Sequence, residues 1–310
     1  MKVAILGRTR ILLRTAELLL VSGFEIPLVW TCPSEQHYGA DVDDFRIFAH
    51  KCGARFLDDR KIDSSDYQGE LARHNVQLAV SVNWPTMIPG KVIEMFSLGI
   101  LNAHAGDLPR YRGNACPNWA ILQGEPFIGL CIHQMTPTLD SGPVIVRDRF
   151  ALAPDAYIGE VYDWLETRIP ALFLEAVQRL LGGQSPPRNQ SEDPATILRC
   201  YPRRPEDGRI EWSSSVEAIY RLIRASSRPF GGAYTSLEGE RKVTIFRAKP
   251  VEHYGRFLAV PGQVAYRIGD EPVIACGDGM LQLTEVEVEG IADPEQGLRE
   301  IHRSLRNRLV

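Results

Sequence analysis

The chain has 310 residues, 44% of them hydrophobic and 24% charged, with a formal net charge of −4 and a pI of about 6.0. That length accommodates two domains, and the composition is ordinary for a water-soluble fold. The mild acidity argues against a large basic footprint for nucleic acid, and no run approaches the 18 apolar residues of a membrane span.

The opening MKVAILG enters a strand pattern directly, without the apolar core and cleavage site of a secretory signal, so a cytoplasmic location is expected. Lys2–Gly7 reads as a buried strand, Ile11–Leu20 as a helix and Glu25–Trp30 as a second strand. This β-α-β opening predicts a parallel sheet. Gly7-Arg8-Thr9-Arg10 follows the first strand, so the dinucleotide fingerprint is absent. Next come a helix over Asp43–Lys51, a strand over Arg55–Leu57, a helix over Asp66–Arg73 and a strongly apolar strand over Gln77–Val82.

Gly99–Asn102 is the following strand, and Cys116–Gln123 reads as a helix. Ile128–Met135 and Val144–Phe150 read as two strands. Ile158–Leu181 is a long amphipathic helix whose Pro170 predicts a kink or a late start. Proline, charge and turn residues then mark a linker, which divides the chain into a domain over 1–184, a linker over 185–209 and a domain over 210–310. In that linker Arg203 and Arg204 either reach an anionic substrate or are simply solvated. The last third opens with a helix over Ser215–Ser226. Short strands follow at Ala233–Leu237, Lys242–Lys249, Gly262–Tyr266, Pro272–Ala275 and Leu281–Val288, the pattern of a small barrel or open sheet.

Chemistry concentrates between Ile100 and Gly142. Asn102 and His104 stand two apart at the end of an apolar run, and residues i and i+2 of a strand share a face. Asp140 lies in a turn rich in Thr, Pro and Gly after a second strand. An amide, an imidazole and a carboxylate can serve acyl transfer as oxyanion donor, proton handler and orienting group. The plainer alternative is that His104 is a hydrogen-bonded structural residue. The loop between carries Gly106, Pro109, Arg110, Arg112, Gly113 and Pro117, which suits close backbone approach and anionic groups. His133 lacks a clear third partner, so no metal site is expected. The six cysteines, Cys32, Cys52, Cys116, Cys131, Cys200 and Cys276, have no C-x-x-C pair and read as reduced packing residues, with a nucleophilic role for Cys116 as the minor alternative.

The pattern N-x-H-x-x-x-L-P-x-Y-R-G, with L-D-x-G-P about 30 residues on, resembles the folate-dependent formyltransferase family. That family includes methionyl-tRNA, glycinamide-ribonucleotide and sugar-nucleotide N-formyltransferases. The resemblance covers most of the chain. It implies a Rossmann-like, mostly parallel α/β sheet with helices on both faces, plus a small OB-like C-terminal β domain. It also implies N10-formyltetrahydrofolate as co-substrate and Asn102, His104 and Asp140 as the catalytic residues. Trp84, Pro85, Thr86, Met87 and Ile88, with Leu139, are the expected folate contacts. One departure is visible: many members carry Ser-Leu-Leu-Pro after the histidine, where this chain has Ala105-Gly106-Asp107-Leu108-Pro109.

The acceptor amine is read from two stretches. Residues 33–44 carry Glu35, Asp41, Asp43 and Asp44 and no Lys or Arg, where the methionyl-tRNA enzymes have a basic insertion suited to RNA. PNWAILQGE over 117–125 resembles the sugar-nucleotide enzymes. The expected acceptor is therefore a nucleotide-linked amino deoxy sugar for surface glycans, with no nucleic-acid or membrane partner. Arg8, Arg10, Arg110 and Arg112 are the candidates for its diphosphate. Methionyl-tRNA is the alternative acceptor, and a non-catalytic folate- or nucleotide-binding module is the alternative of another class. The C-terminal domain is a candidate homodimer interface.

Overall fold

The computed structural model of the protein describes residues 1–34, 39–62, 69, 73–183, 187–253 and 255–310. The helix expected over Asp66–Arg73 lies largely outside the described residues, as does Glu35. The chain forms two compact units. The first comprises Met1–Cys116, Phe127–Ala151 and Tyr162–Tyr201; the second comprises Pro117–Pro126, Leu152–Val161 and Pro202–Val310.

The first unit is built on a seven-stranded sheet. Its strands are β1 (Val3–Gly7), β2 (Leu28–Trp30), β3 (Arg55–Leu57), β4 (Leu78–Val82), β5 (Ile100–His104), β7 (Phe127–Gln134) and β8 (Val144–Ala151), ordered β3-β2-β1-β4-β5-β7-β8. The first five pair in parallel and the last two antiparallel. This is the mixed, Rossmann-like sheet the sequence implied. Every residue of β1 and β4 is buried, as expected for parallel strands covered on both faces. The chain reverses its winding between β1 and β4, so the crevice at their carboxyl ends is where such sheets take ligands.

Local signals set the helices. Thr9 caps α1 (Arg10–Val21) by accepting the Leu12 amide at 3.2 Å, and Leu12, Ala16 and Leu19 bury its inner face. Asp41 caps α2 (Val42–Cys52). Its carboxylate accepts the amides of Asp43 and Asp44 while Asp44 accepts the amide of Asp41, a complete capping box. Two short elements follow, α3 (Gly90–Ile93) and β6 (Arg112–Gly113), then α4 (Cys116–Gln123). Helix α5 begins at Ile158 and continues through Pro170 to Gly182 (Ile158–Gly182), which corrects the expected late start. Its apolar face, with Leu165, Ile169, Leu172, Phe173, Ala176 and Val177 all buried, holds the helix across the missing amide.

Residues 187–200 return to the first unit. Arg188 pairs with Val144, and β9 (Arg199–Cys200) pairs in parallel with β6. In the second unit α6 (Val216–Ser226), capped by Ser215, precedes five antiparallel strands: β10 (Ala233–Leu237), β11 (Arg241–Pro250), β12 (Val264–Ile268), β13 (Glu271–Ala275) and β14 (Met280–Val288). Their order is β10-β11-β14-β13-β12. Helix α7 (Pro294–Ile301) follows. Residues 307–310 then bond to both sheet edges: Val310 to Ser236 beside β10, and Leu309 and Asn307 to Gly262 and Val264 beside β12. The tail covers edges that would otherwise present unpaired backbone.

One expected result follows from the α2 cap. Asp41→Ala should destabilise the protein by about 1 kcal/mol, the usual cost of a lost N-cap, and leave turnover unchanged. Denaturant unfolding and steady-state rates check this. A change in turnover would mean that the acidic stretch contacts substrate.

Candidate active site

The site lies at the end of β5. Antiparallel pairing with β7 sets Asn102 opposite His133 and His104 opposite Cys131. His133 Nδ1 lies 2.9 Å from the carbonyl of Gln134, which can only accept, so that nitrogen carries the proton. Its Nε2 therefore accepts from Asn102 Nδ2 at 3.2 Å. Asn102 keeps a second N–H for a ligand, and it is only half-buried.

His104 is buried. Its Nε2 donates to the carbonyl of Tyr111 at 2.6 Å, and its Nδ1 lies 3.5 Å from Asp140 Oδ2. Asp140 Oδ2 also accepts the Gly113 amide at 2.8 Å, while Oδ1 lies 3.7 Å from His133 Nε2. One carboxylate thus faces both imidazoles, whose rings are edge-to-face with centroids 6.2 Å apart. Asp140 faces His104 directly, and Asn102 is joined to the same cluster through His133. Sequence reasoning missed His133: its tie to Asn102 comes from strand register, which spacing along the chain does not reveal.

Glycines make the close approaches possible. A Cβ on Gly106 would sit 2.5 Å from the Tyr111 carbonyl and 2.6 Å from His104 Nε2. The departure from Ser-Leu-Leu-Pro therefore has a local reason, since this His104–Tyr111 bond leaves no room for a side chain. Gly113 has φ +107°, and its Cβ would run into the carbonyl of Cys200.

Burial, reinforced by the charge of His104 and opposed by Asp140, pushes His133 down to about 4. It is neutral near pH 7, consistent with its accepting role. The unfolded chain binds this proton below about pH 6.5, whereas the folded protein does not until about pH 4. Stability from this group is complete above pH 6.5 and falls with pH through that window, by up to about 1.4 kcal/mol per unit. Urea unfolding between pH 7.5 and 5 should show a steeper loss in the wild type than in His133→Gln. Equal slopes would contradict the assignment.

Cys116 donates to the Tyr111 carbonyl at 3.0 Å. Its thiol is pushed strongly upward, first by its hydrogen bond with Cys200 and then by burial, so it packs and donates as a thiol.

Of the expected folate contacts, Trp84–Ile88 follow β4 and Leu139 lies between β7 and β8. Trp84 meets Trp30 edge-on at 6.1 Å, and its buried indole N–H has no hydrogen-bond partner. Ile88 is buried, Pro85 and Leu139 are half-buried, and Thr86 and Met87 are exposed. Of the four arginines, Arg8 donates to the carbonyls of Asn83 and Pro33. Arg10 pairs with Glu166 at 2.6 Å, Arg110 lies over the Tyr111 ring at 5.4 Å, and Arg112 donates twice to Gln190. Among the described residues no three His, Cys, Asp or Glu side chains converge as metal ligands, and no helix is long and apolar enough to cross a membrane.

Residues 1–177 match the family model of formyl transferase, and residues 203–294 match that of the formyl transferase C-terminal domain. The chain belongs to the formyl transferase family. The formyltransferase is 31% identical over 299 residues to methionyl-tRNA formyltransferase of Ruegeria pomeroyi, covering 94% of each chain. Its fold is similar to that of an N-formyltransferase from Helicobacter canadensis, solved with folinic acid and dTDP-3-aminofucose, with a TM-score of 0.66 at 16% identity over 92% of this chain and 99% of that one. HypX from Aquifex aeolicus matches with a TM-score of 0.65 at 22% identity over 98% of this chain, which spans 48% of that protein.

These likenesses correct the expected acceptor. Curated relatives that span the formyltransferase at about 30% identity include methionyl-tRNA formyltransferases, whereas the Helicobacter canadensis enzyme, at 16% identity, shows the fold alone. The acidic stretch misled for a structural reason. Asp41 and Asp44 form the α2 cap, and Asp43 pairs with Arg46, so three of the four acids complete a helix start.

Proposed function

We propose that this formyltransferase moves the formyl group of N10-formyltetrahydrofolate to the amine of methionyl-tRNA. The observation that carries formyl transfer is the Asn102–His104–Asp140 constellation at the carboxyl edge of the sheet. Full-length likeness to the methionyl-tRNA enzymes supports the acceptor.

The methionyl nitrogen attacks as a neutral amine, because an ammonium has no lone pair. A C–N bond forms and the carbonyl electron pair moves to oxygen. Asn102 meets that oxygen with the N–H that His133 does not take, a contact of the kind worth about 2.7–4 kcal/mol in barrier height. Asp140 accepts the proton released by the amine, and His104 at 3.5 Å shares the carboxylate's charge. As the oxygen's electron pair returns, the bond from carbon to N10 breaks and N10 takes the proton back from the His104–Asp140 pair. The two groups act as a coupled unit. Trp84, Pro85, Thr86, Met87 and Ile88, with Leu139, form the wall for the pterin. Met87 offers exposed apolar surface. Arg110, exposed over Tyr111, is the candidate for acceptor phosphate; Arg8, Arg10 and Arg112 already bond to protein groups.

The test is tetrahydrofolate release with methionyl-tRNA, uncharged tRNA, free methionine or buffer. Release that requires the charged tRNA is expected, with a KM that rises steeply with salt because phosphate contacts release counterions. Equal release with buffer would mean donor hydrolysis, and equal release with free methionine would contradict a tRNA acceptor.

A further inference from the structure

Asp140 has φ +48°, a left-handed conformation that non-glycine residues adopt rarely. Its surroundings must hold it there, and one side chain does much of that holding. Gln190 Nε2 donates to the carbonyl of Asp140 at 2.8 Å and to that of Gly142 at 2.7 Å. Gln190 Oε1 accepts from Arg112 Nε at 3.1 Å and Nη2 at 2.8 Å. The chemistry fixes the amide's orientation, because a guanidinium only donates and a carbonyl only accepts. Both donors and both acceptor positions of the amide are used.

The bonds close a circuit. Arg112 precedes Gly113, whose amide holds the Asp140 carboxylate. Its side chain, through Gln190, holds the Asp140 backbone. One two-residue strand thus references both ends of the catalytic carboxylate, and β9 anchors that strand on its other edge. Resting on the formyl-transfer reading, we propose that Gln190 is a positioning residue: with Arg112 it locks the Asp140 turn so that the carboxylate faces His104. It touches no reacting atom. Glutamate at this position would keep Arg112 but turn an oxygen toward two carbonyls. Methionine would match the length and make none of the four bonds.

The test is a double-mutant cycle in single-turnover formyl transfer to methionyl-tRNA. Gln190→Met is expected to lower the rate about 10- to 100-fold, the scale of a small misplacement, with KM for both substrates within about threefold. In an Asp140→Asn background the same change should cost less than about threefold, because residues that act through one another are not additive. A loss of equal size in both backgrounds, or a Gln190→Met enzyme at the wild-type rate, overturns the proposal. If Gln190→Met does not fold, Gln190→Glu carries the cycle with the same expectations. A second readout does not use turnover. The Asp140 carboxyl 13C resonance, assigned by its loss in Asp140→Asn, should move in the Gln190 variant; an unmoved resonance overturns the proposal. A wild-type protein that transfers no formyl group would overturn the functional reading instead, while the resonance still reports whether Gln190 holds Asp140.

Discussion

Replacing Asn102 by alanine is expected to lower turnover about 100- to 1,000-fold, the usual cost of one oxyanion donor, with little change in KM. Its amide makes one hydrogen bond to His133 and keeps one N–H for a ligand. The donated bond orients the amide before substrate arrives, and the remaining N–H strengthens only as charge develops on the formyl oxygen. Such a contact lowers the barrier without tightening the ground state, so the loss belongs in kcat. Asn102 is half-buried at a strand end, so the substitution should leave the fold intact. Steady-state kinetics beside thermal unfolding checks both halves. A comparable rise in KM with kcat preserved would make Asn102 a binding residue.

Asp140→Asn should cost about 100- to 10,000-fold in turnover, the range of a lost general acid–base group. The replacement is isosteric and its amide oxygen can still accept from Gly113, so the turn should persist. What disappears is the carboxylate that faces both His104 and His133 and is proposed to take the amine proton. Single-turnover rates at saturating donor isolate the chemical step. A rate within threefold of wild type would remove Asp140 from the proton path and leave it as a hydrogen-bond acceptor.

Much of this arrangement was legible in the residues because it depends on local geometry. Alternation along β5 set Asn102 and His104 on one face, and the Thr-Pro-Gly turn marked the bend that carries Asp140. The apolar runs outlined the β-α-β sheet. What stayed hidden depends on tertiary register or on a returning chain. His133 looked like a stray imidazole until antiparallel pairing of β5 with β7 set it beside Asn102. Gln190 lies in a stretch whose proline and charge content read as linker, yet that stretch folds back and bonds to the Asp140 turn. Helix α5 ran through Pro170 because buried contacts outweighed one missing hydrogen bond. The acceptor was misread for a related reason: acids that cap a helix and acids that repel phosphate look identical in sequence, and only the bonds of Asp41 and Asp44 separate the two.

On the proposed function, this constellation passes a formyl group from the folate to an amine carried on tRNA. The most direct test is an isotope experiment with N10-formyltetrahydrofolate labelled in the formyl carbon, methionyl-tRNA and the wild-type protein. Label is expected in N-formylmethionine released from the tRNA, one formyl group for each tetrahydrofolate formed. Label recovered only as formate, with the methionyl amine unmodified, would contradict it.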